Sequence, residues 1–230
     1  MKNTVLLRTY VVFSVFYLCL ILIGKDDIAW FLKPFPLALL LISVYNFEKF
    51  PTKSWLFSAL IFSWIGDIIL MFADKGELYF ILGLISFLIS HLLYIFLFVK
   101  QGITTNYRKS IIFWIAFILI LLYLKNMLGF LYPKLGDLKI PVTIYALTIS
   151  TMLLMALKGY FSWKKPENIT ILFGAIFFVM SDSILAINKF YEPLPYANLI
   201  IMLTYLIAQF AIVLGIENLN NNRNSSNLQK

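Results

Sequence analysis

The fold class the sequence predicts is an all-α integral membrane protein of about eight transmembrane helices. Three observations predict it: the composition, the lengths of the apolar runs, and the shortness of the stretches between them. Of the 230 residues, 61% are hydrophobic and 13% charged, and the mean hydropathy is +0.88. A soluble domain averages roughly 45–50% apolar and about 25% charged. A chain of this length folded in water cannot bury so much apolar surface, so lipid must be the solvent for most of it. A spanning helix needs about 20 mainly apolar residues. Eight runs qualify: 5–24, 28–46, 54–72, 78–99, 110–128, 140–158, 168–188 and 194–216.

Taken in order, the first run is flanked by Lys2 and Arg8 and ends in Gly24-Lys25-Asp26-Asp27, with no small-x-small cleavage site. It is longer than the apolar core of a signal peptide and is expected to be a retained helix. The second run contains Lys33 followed by Pro34 and Pro36. Prolines lack the N–H a helix needs, so the helix is expected to be disturbed there, with freed carbonyls available to line a cavity. The remaining runs are separated by short, polar punctuation: Glu48-Lys49-Phe50-Pro51, Asp74-Lys75-Gly76, Gln101-Gly102, Pro133 and Lys164-Lys165-Pro166. These connections leave no room for an extramembrane domain. The chain is therefore expected to be one transmembrane domain, 1–216, followed by an Asn- and Ser-rich disordered tail, 217–230.

With the N-terminus in the cytoplasm, twelve of the 19 Lys and Arg residues fall on the cytoplasmic side: Lys2, Arg8, Lys49, Lys53, Lys100, Arg108, Lys109, Lys158, Lys164, Lys165, Arg223 and Lys230. The bias predicts that both termini are cytoplasmic and that the protein sits in the cell (inner) membrane as a multi-pass protein. The net charge of +8 comes from residues scattered between apolar runs rather than clustered, so nucleic acid is not an expected partner. One cysteine, Cys19, excludes an internal disulfide and a cysteine-rich metal site. One histidine, His91, excludes a multi-histidine cage. No metal and no cofactor are expected. No G-x-S-x-G elbow, H-E-x-x-H or P-loop occurs.

The third and seventh runs share a pattern. Gly66-Asp67-Ile68-Ile69-Leu70 and Ser181-Asp182-Ser183-Ile184-Leu185 both read small–Asp–x–Ile–Leu. They lie four spans apart and so run in the same direction, which fits a parallel four-plus-four repeat. An ionisable side chain inside a span costs on the order of 3 kcal/mol or more at the bilayer centre and so marks a candidate site. Asp67 lies about five residues before the end of its run and Asp182 about six, which at 1.5 Å per residue puts both roughly 7–9 Å from one face. Lys33 enters its run from that same side. One pocket holding all three charges, opening away from the cytoplasm, is the expectation. A structural ion-pair network, or a Lys33 that snorkels to the headgroups, fits the same residues.

Gly83, Phe87, His91 and Tyr94 fall on one face of the fourth run, with Ser86 and Ser90 beside them. Small residues and hydroxyls there also suit plain helix packing. Tyr145, Tyr205 and Gln209 place further polar atoms in apolar runs. Two carboxylates in different environments can divide acid–base work, one holding a proton and the other staying ionised. That division suits cleavage of an acid-labile ether through an oxocarbenium ion, and it suits peptide hydrolysis. Intramembrane Asp and Lys also mark ion and proton paths, so an ion- or proton-coupled transporter is the main alternative. A protein that only binds a lipid is another. An intramembrane aspartyl protease lacks its Tyr-Asp and Gly-x-Gly-Asp signatures here.

The runs Lys33-Pro34-Phe35-Pro36, Ser63-Trp64-Ile65-Gly66-Asp67, Gly83 to Phe87 with Ser90-His91-Leu92-Leu93-Tyr94, Pro141-Val142-Thr143-Ile144-Tyr145, and Gly174-Ala175 with Ser181 to Ala186, closing with Tyr205 and Gln209, together resemble the YhhN family of membrane proteins, which includes the animal lysoplasmalogenases. The resemblance implies an eight-helix fold and hydrolysis of the vinyl ether bond of a lysophospholipid to a fatty aldehyde and a glycerophospho-base. It implies that Asp67 and Asp182 are the catalytic pair, with His91 beside them. Lys33, Tyr94, Ser90, Tyr145, Ser181, Tyr205 and Gln209 would then contact the substrate or its water.

Overall fold

The structure is a computed structural model that describes residues 2–102 and 110–228, with side chains described over 5–102 and 110–223. Of the basic residues that set the expected orientation, Arg108, Lys109 and Lys230 lie outside the described residues. Among the described residues there is no strand, and eight segments are long and apolar enough to cross a membrane. The chain divides into two compact units, Met1–Leu97 and Phe98–Lys230. The division falls in the last turn of the fourth span, Glu77–Lys100, so the first unit holds four spans but for the final three residues of the fourth, and the second unit holds the other four.

In the first unit, helix α1 covers Lys2–Leu22. It stops at Gly24, whose φ of 72° lies in the left-handed region that glycine occupies without steric cost. The Lys25 amide reaches back to the Leu20 carbonyl at 2.9 Å and the Gly24 amide to Ile21 at 3.1 Å, which closes the helix end with its carbonyls satisfied. The second span is broken into α2, Asp26–Leu32, and α3, Phe35–Tyr45. Pro34 and Pro36 have no N–H for the carbonyls of Trp30 and Leu32, four residues earlier, so the ladder fails there as expected. The Lys33 amide bonds Trp30 O at 3.3 Å instead. Helices α4, Lys53–Leu70, and α5, Glu77–Lys100, complete the unit's spans. Its deepest side chains are Tyr10, Tyr17, Leu37, Leu40, Leu56, Leu60 and Tyr94.

In the second unit, α6 covers Ile111–Leu131 and is capped by Ser110, whose hydroxyl accepts from the Phe113 amide at 3.4 Å. Helix α7, Lys139–Tyr160, follows two short 3-10 turns around Pro133 and Gly136. Then come α8, Glu167–Phe190, and α9, Ala197–Leu228. Helices α8 and α9 pack closely through Gly174: a Cβ there would lie 2.9 Å from the Ala208 carbonyl and 3.0 Å from the Ile212 amide. Small residues permit this approach, which in lipid is what holds helices together.

Residues 217–230 were expected to form a disordered tail; among the described residues α9 runs to Leu228, with Glu217, Leu219 and Asn220 buried. The physical reason is that its polar residues find partners within the unit. Asn222 Nδ2 donates to Glu167 Oε1 at 2.9 Å. Arg223 donates to the Gln101 side-chain and backbone oxygens at 3.0 and 2.7 Å.

Exposure is inverted relative to a soluble fold. Val12, Ile111 and Ile140 are each 70% or more exposed, as lipid-facing side chains must be. Substituting Gly174→Ala is expected to destabilise the protein by about 1–3 kcal/mol, because the clash is with backbone that cannot step aside. Gly129→Ala in α6, where a Cβ meets nothing within 4 Å, is expected to be neutral or stabilising. Thermal unfolding of both variants in detergent checks the contrast.

Candidate functional site

Asp67 sits in the last turn of α4 and is buried to 4% exposure. A carboxylate so placed in a membrane needs compensating groups. Its charge acts on Lys33, at the break in the second span, and on Tyr10 and Tyr17 of α1. Asp74 also acts on Lys33. The tyrosines were not among the residues singled out from sequence. With Ser14 they occupy positions i, i+4 and i+7 of α1, so a polar face on an otherwise apolar helix was the available signal.

The break itself is held by two indoles. Trp64 Nε1 donates to Pro34 O at 2.9 Å, and Trp30 Nε1 donates to Met71 O at 3.1 Å. With these polar edges spent, the surfaces left between α2, α3 and α4 are hydrocarbon and aromatic. They enclose a cleft of about 340 Å³ lined by residues that include Trp30, Pro34, Ala38, Trp64 and Met71.

The face predicted on the fourth span is fully inside: Gly83, Phe87, His91 and Tyr94 are all buried, His91 and Tyr94 completely. Its serines are engaged in joining helices. Ser90 Oγ donates to Ala59 O at 2.8 Å and lies 2.7 Å from Ser63 Oγ. Ser86 Oγ donates to Phe62 O at 2.6 Å. A Cβ at Gly66 would meet the Phe87 ring at 2.7 Å, so α4 and α5 lie in tight contact one residue from Asp67.

In the second unit, Asp182 is half-buried on α8. Tyr145 of α7 donates its hydroxyl to Asp182 Oδ2 at 2.5 Å. Beside it, the Tyr123 hydroxyl of α6 is hydrogen-bonded to Ser183 Oγ, which also donates to Val179 O. Three helices thus bring two phenols and a serine around one carboxylate. They border a small cavity of about 40 Å³, otherwise lined by apolar residues such as Leu131, Val142 and Ile149, with space for a water or two on the scale of about 10–15 Å³ each. Tyr123 was not singled out from sequence either, since one tyrosine in an apolar run reads as part of that run.

Ser181 is buried and donates to Ile201 O at 3.0 Å, so its hydroxyl joins α8 to α9. Tyr205 is buried with its ring edge-on to Phe178 at 5.5 Å, and Gln209 is completely buried one turn further along α9. Tyr145 and Asp182 are therefore in direct contact, as are Ser63 and Ser90, whereas Ser181 and Ser90 are committed to neighbouring backbones. The aspartates differ in their position along their helices. Asp67 has three residues of α4 after it, and Asp182 has eight of α8, about two turns. The near-equal distances to the span ends inferred from the apolar runs do not hold, because α4 stops at Leu70, where the chain turns and Trp30 takes the Met71 carbonyl. Among the described residues, no group of three or more His, Cys, Asp and Glu side chains gathers as a metal site would require.

Compared with known proteins, residues 28–216 match the YhhN family. The chain is 32% identical to Lysoplasmalogenase TMEM86A of Bos taurus over 172 residues, which cover 72% of this chain and 66% of the relative. It is 33% identical to the Homo sapiens protein of the same name, with the same coverage. It is 31% identical to Lysoplasmalogenase TMEM86B of Homo sapiens over 211 residues, 86% of this chain and 80% of the relative. The match thus spans just under two thirds of the TMEM86A proteins and four fifths of TMEM86B. No solved structure matches. At the break, Trp64→Phe removes the indole N–H that Pro34 O accepts from, together with part of the ring volume, while Pro34 O keeps its bond from the Ala38 amide at 3.3 Å; it is expected to lower stability by about 1–2 kcal/mol, from the lost hydrogen bond and the space vacated, read as a fall in melting temperature.

Proposed function

The chain belongs to the YhhN family, and from that premise we propose that it is a membrane-embedded lipid hydrolase. It cleaves the vinyl ether bond of a lysophospholipid, releasing a fatty aldehyde and a glycerophospho-base, with Asp67 and Asp182 as its acid–base carboxylates. The observation that carries this reading is chemical. In a chain about a third identical to proteins named lysoplasmalogenases, one aspartate lies within the third span of each unit, Asp67 and Asp182, and both have tyrosines for neighbours.

Vinyl ether hydrolysis begins with proton transfer to the alkene carbon distal to oxygen. That leaves an oxocarbenium ion at the carbon bearing the oxygen. Water adds to this carbon and loses a proton, and the resulting hemiacetal expels the glycerol oxygen as an alcohol while its own O–H becomes the aldehyde carbonyl. One water is consumed and no redox step occurs. A carboxylic acid supplies the first proton, and an ionised carboxylate steadies the cation and accepts the proton from water. In this scheme Tyr145 holds the Asp182 carboxylate in one orientation through its hydrogen bond, and the cavity beside Asp182 has space for the water. His91 and Tyr94, buried on one face of α5 in the unit that holds Asp67, act in this scheme as supporting polar groups on that side. The substrate would come from the surrounding membrane lipids.

Two outcomes are expected. Asp67→Asn and Asp182→Asn each lower aldehyde release from a lysoplasmalogen by on the order of 10²-fold or more while the purified proteins remain folded. Near-parental activity in either variant overturns that residue's role. Tyr145→Phe lowers kcat roughly ten-fold with KM nearly unchanged, as expected for a group that orients a reacting carboxylate rather than binding substrate. Steady-state kinetics on the detergent-purified protein decide it, and an effect on KM alone would move Tyr145 to substrate binding.

A further inference from the structure

The broken second span leaves a cleft at the protein's outer surface. It is a concave space of about 340 Å³ formed where α2 and α3 separate beside α4. Its backbone carbonyls at Pro34 and Met71 are already taken by indole N–H groups, so what remains presents hydrocarbon. Phe31 and Phe35 border it and are 64% and 44% exposed, which leaves a lateral way in from the bilayer. Lys33 stands immediately before Pro34 in the break, and the buried carboxylate Asp67 is within electrostatic reach of it. An apolar slot, a cation and an acid therefore belong to a single four-helix unit, with the cation next in the chain to Pro34 of the slot. The substrate calls for these three groups: a wall for its one chain, an acid for its vinyl ether and a cation for its phosphate.

We propose that this cleft seats the single hydrocarbon chain of the substrate with Lys33 against its phosphate, and that Ala38 sets the chain length admitted. The inference rests on the hydrolase reading above and adds the substrate's orientation to it. A chain gains little by leaving lipid for an equally apolar wall, so the cleft acts by shape. A carbon-sized group takes on the order of 30 Å³, about the share of a liquid water, so the space suits about ten carbons of one chain and excludes a second. Ala38 lies one turn beyond Pro34 on α3 and lines the cleft. A larger side chain there shortens the slot without touching Lys33 or Asp67.

The test uses the full chain in nanodiscs and two readouts. In the first, Ala38→Phe is compared with the parent on lysoplasmalogens of about 16 and about 8 carbons, with the ratio of the two kcat/KM values expected to fall by about ten-fold or more. Ile85→Phe, on the lipid-facing side of α5, adds the same bulk elsewhere and leaves the ratio unchanged. The second readout needs no turnover. A lysophospholipid with a diazirine at the chain terminus is photolysed with the Asp67→Asn protein and the labelled peptides are mapped. Labelling within 30–38 and 64–71, lost in the Ala38→Phe background and not reproduced by a diacyl phospholipid carrying the same group, supports the assignment. Such labelling without any aldehyde from the parent keeps the chain site and removes the hydrolase reading. Labelling elsewhere with an unchanged ratio, or equal labelling by the diacyl lipid, overturns the chain site and leaves the hydrolase reading standing.

Discussion

Inside a bilayer no water competes for backbone groups, so every N–H and C=O in a span needs a partner within the protein. Most of this chain meets the requirement with unbroken helices, and the second span does not. Pro34 and Pro36 remove two donors from its middle, the Lys33 amide turns to the Trp30 carbonyl, and two indoles pin the break to its neighbours. Trp64 reaches the Pro34 carbonyl from α4, and Trp30 closes the other side on Met71, just past the end of α4. The same α4 is drawn against α5 by Ser63, Ser86 and Ser90 and by the absence of a side chain at Gly66. The break positions Lys33, the cleft and the end of α4 that carries Asp67, so the first unit's polar chemistry depends on how those carbonyls are satisfied.

The carboxylates follow the same logic with different partners. Asp67 is deeply buried among α1 tyrosines and the charge of Lys33. Asp182 is half-buried and receives a phenolic hydrogen bond from Tyr145, with the Tyr123–Ser183 pair adjacent. Two aspartates in so similar a sequence pattern thus sit in unlike surroundings: one near a cation and closely packed, the other held by neutral donors beside a small cavity. Unlike environments are what allow two carboxyl groups to take different roles in one reaction. Tyrosine suits this setting because its ring packs as hydrocarbon while its hydroxyl donates to the acid.

Some parts of this organisation were legible in the sequence for simple physical reasons. Eight spans follow from the length of an apolar run that lipid demands, and the break at Lys33-Pro34 follows from proline's missing donor. The buried face of α5 follows from 3.6-residue periodicity, which put Gly83, Phe87, His91 and Tyr94 on one side. Other parts were not. Tyr10, Tyr17 and Tyr123 read as ordinary members of apolar runs, since nothing local says which way a tyrosine hydroxyl points. The family resemblance put Ser90 and Ser181 among the substrate contacts while hydroxyls in a span also suit helix packing, and only the neighbouring helices reveal that they donate to the carbonyls of Ala59 and Ile201.

The end of α9 shows the division most clearly. Glu217, Asn220, Asn222 and Arg223 are poor company for a membrane helix, and composition alone places a disordered tail there. The helix continues because Glu167 and Gln101, 55 and 122 residues away in the chain, meet Asn222 and Arg223. The sequence by itself determined the solvent, the number of spans, the site of the break and the presence of intramembrane acids, because each of these is decided by transfer free energies and backbone chemistry that act residue by residue. Only the tertiary structure decided which hydroxyls face the acids, which are spent on packing, and where the last helix ends. Those outcomes depend on hydrogen-bond partners distant in sequence, and a polar group in lipid takes whichever partner the fold brings within reach.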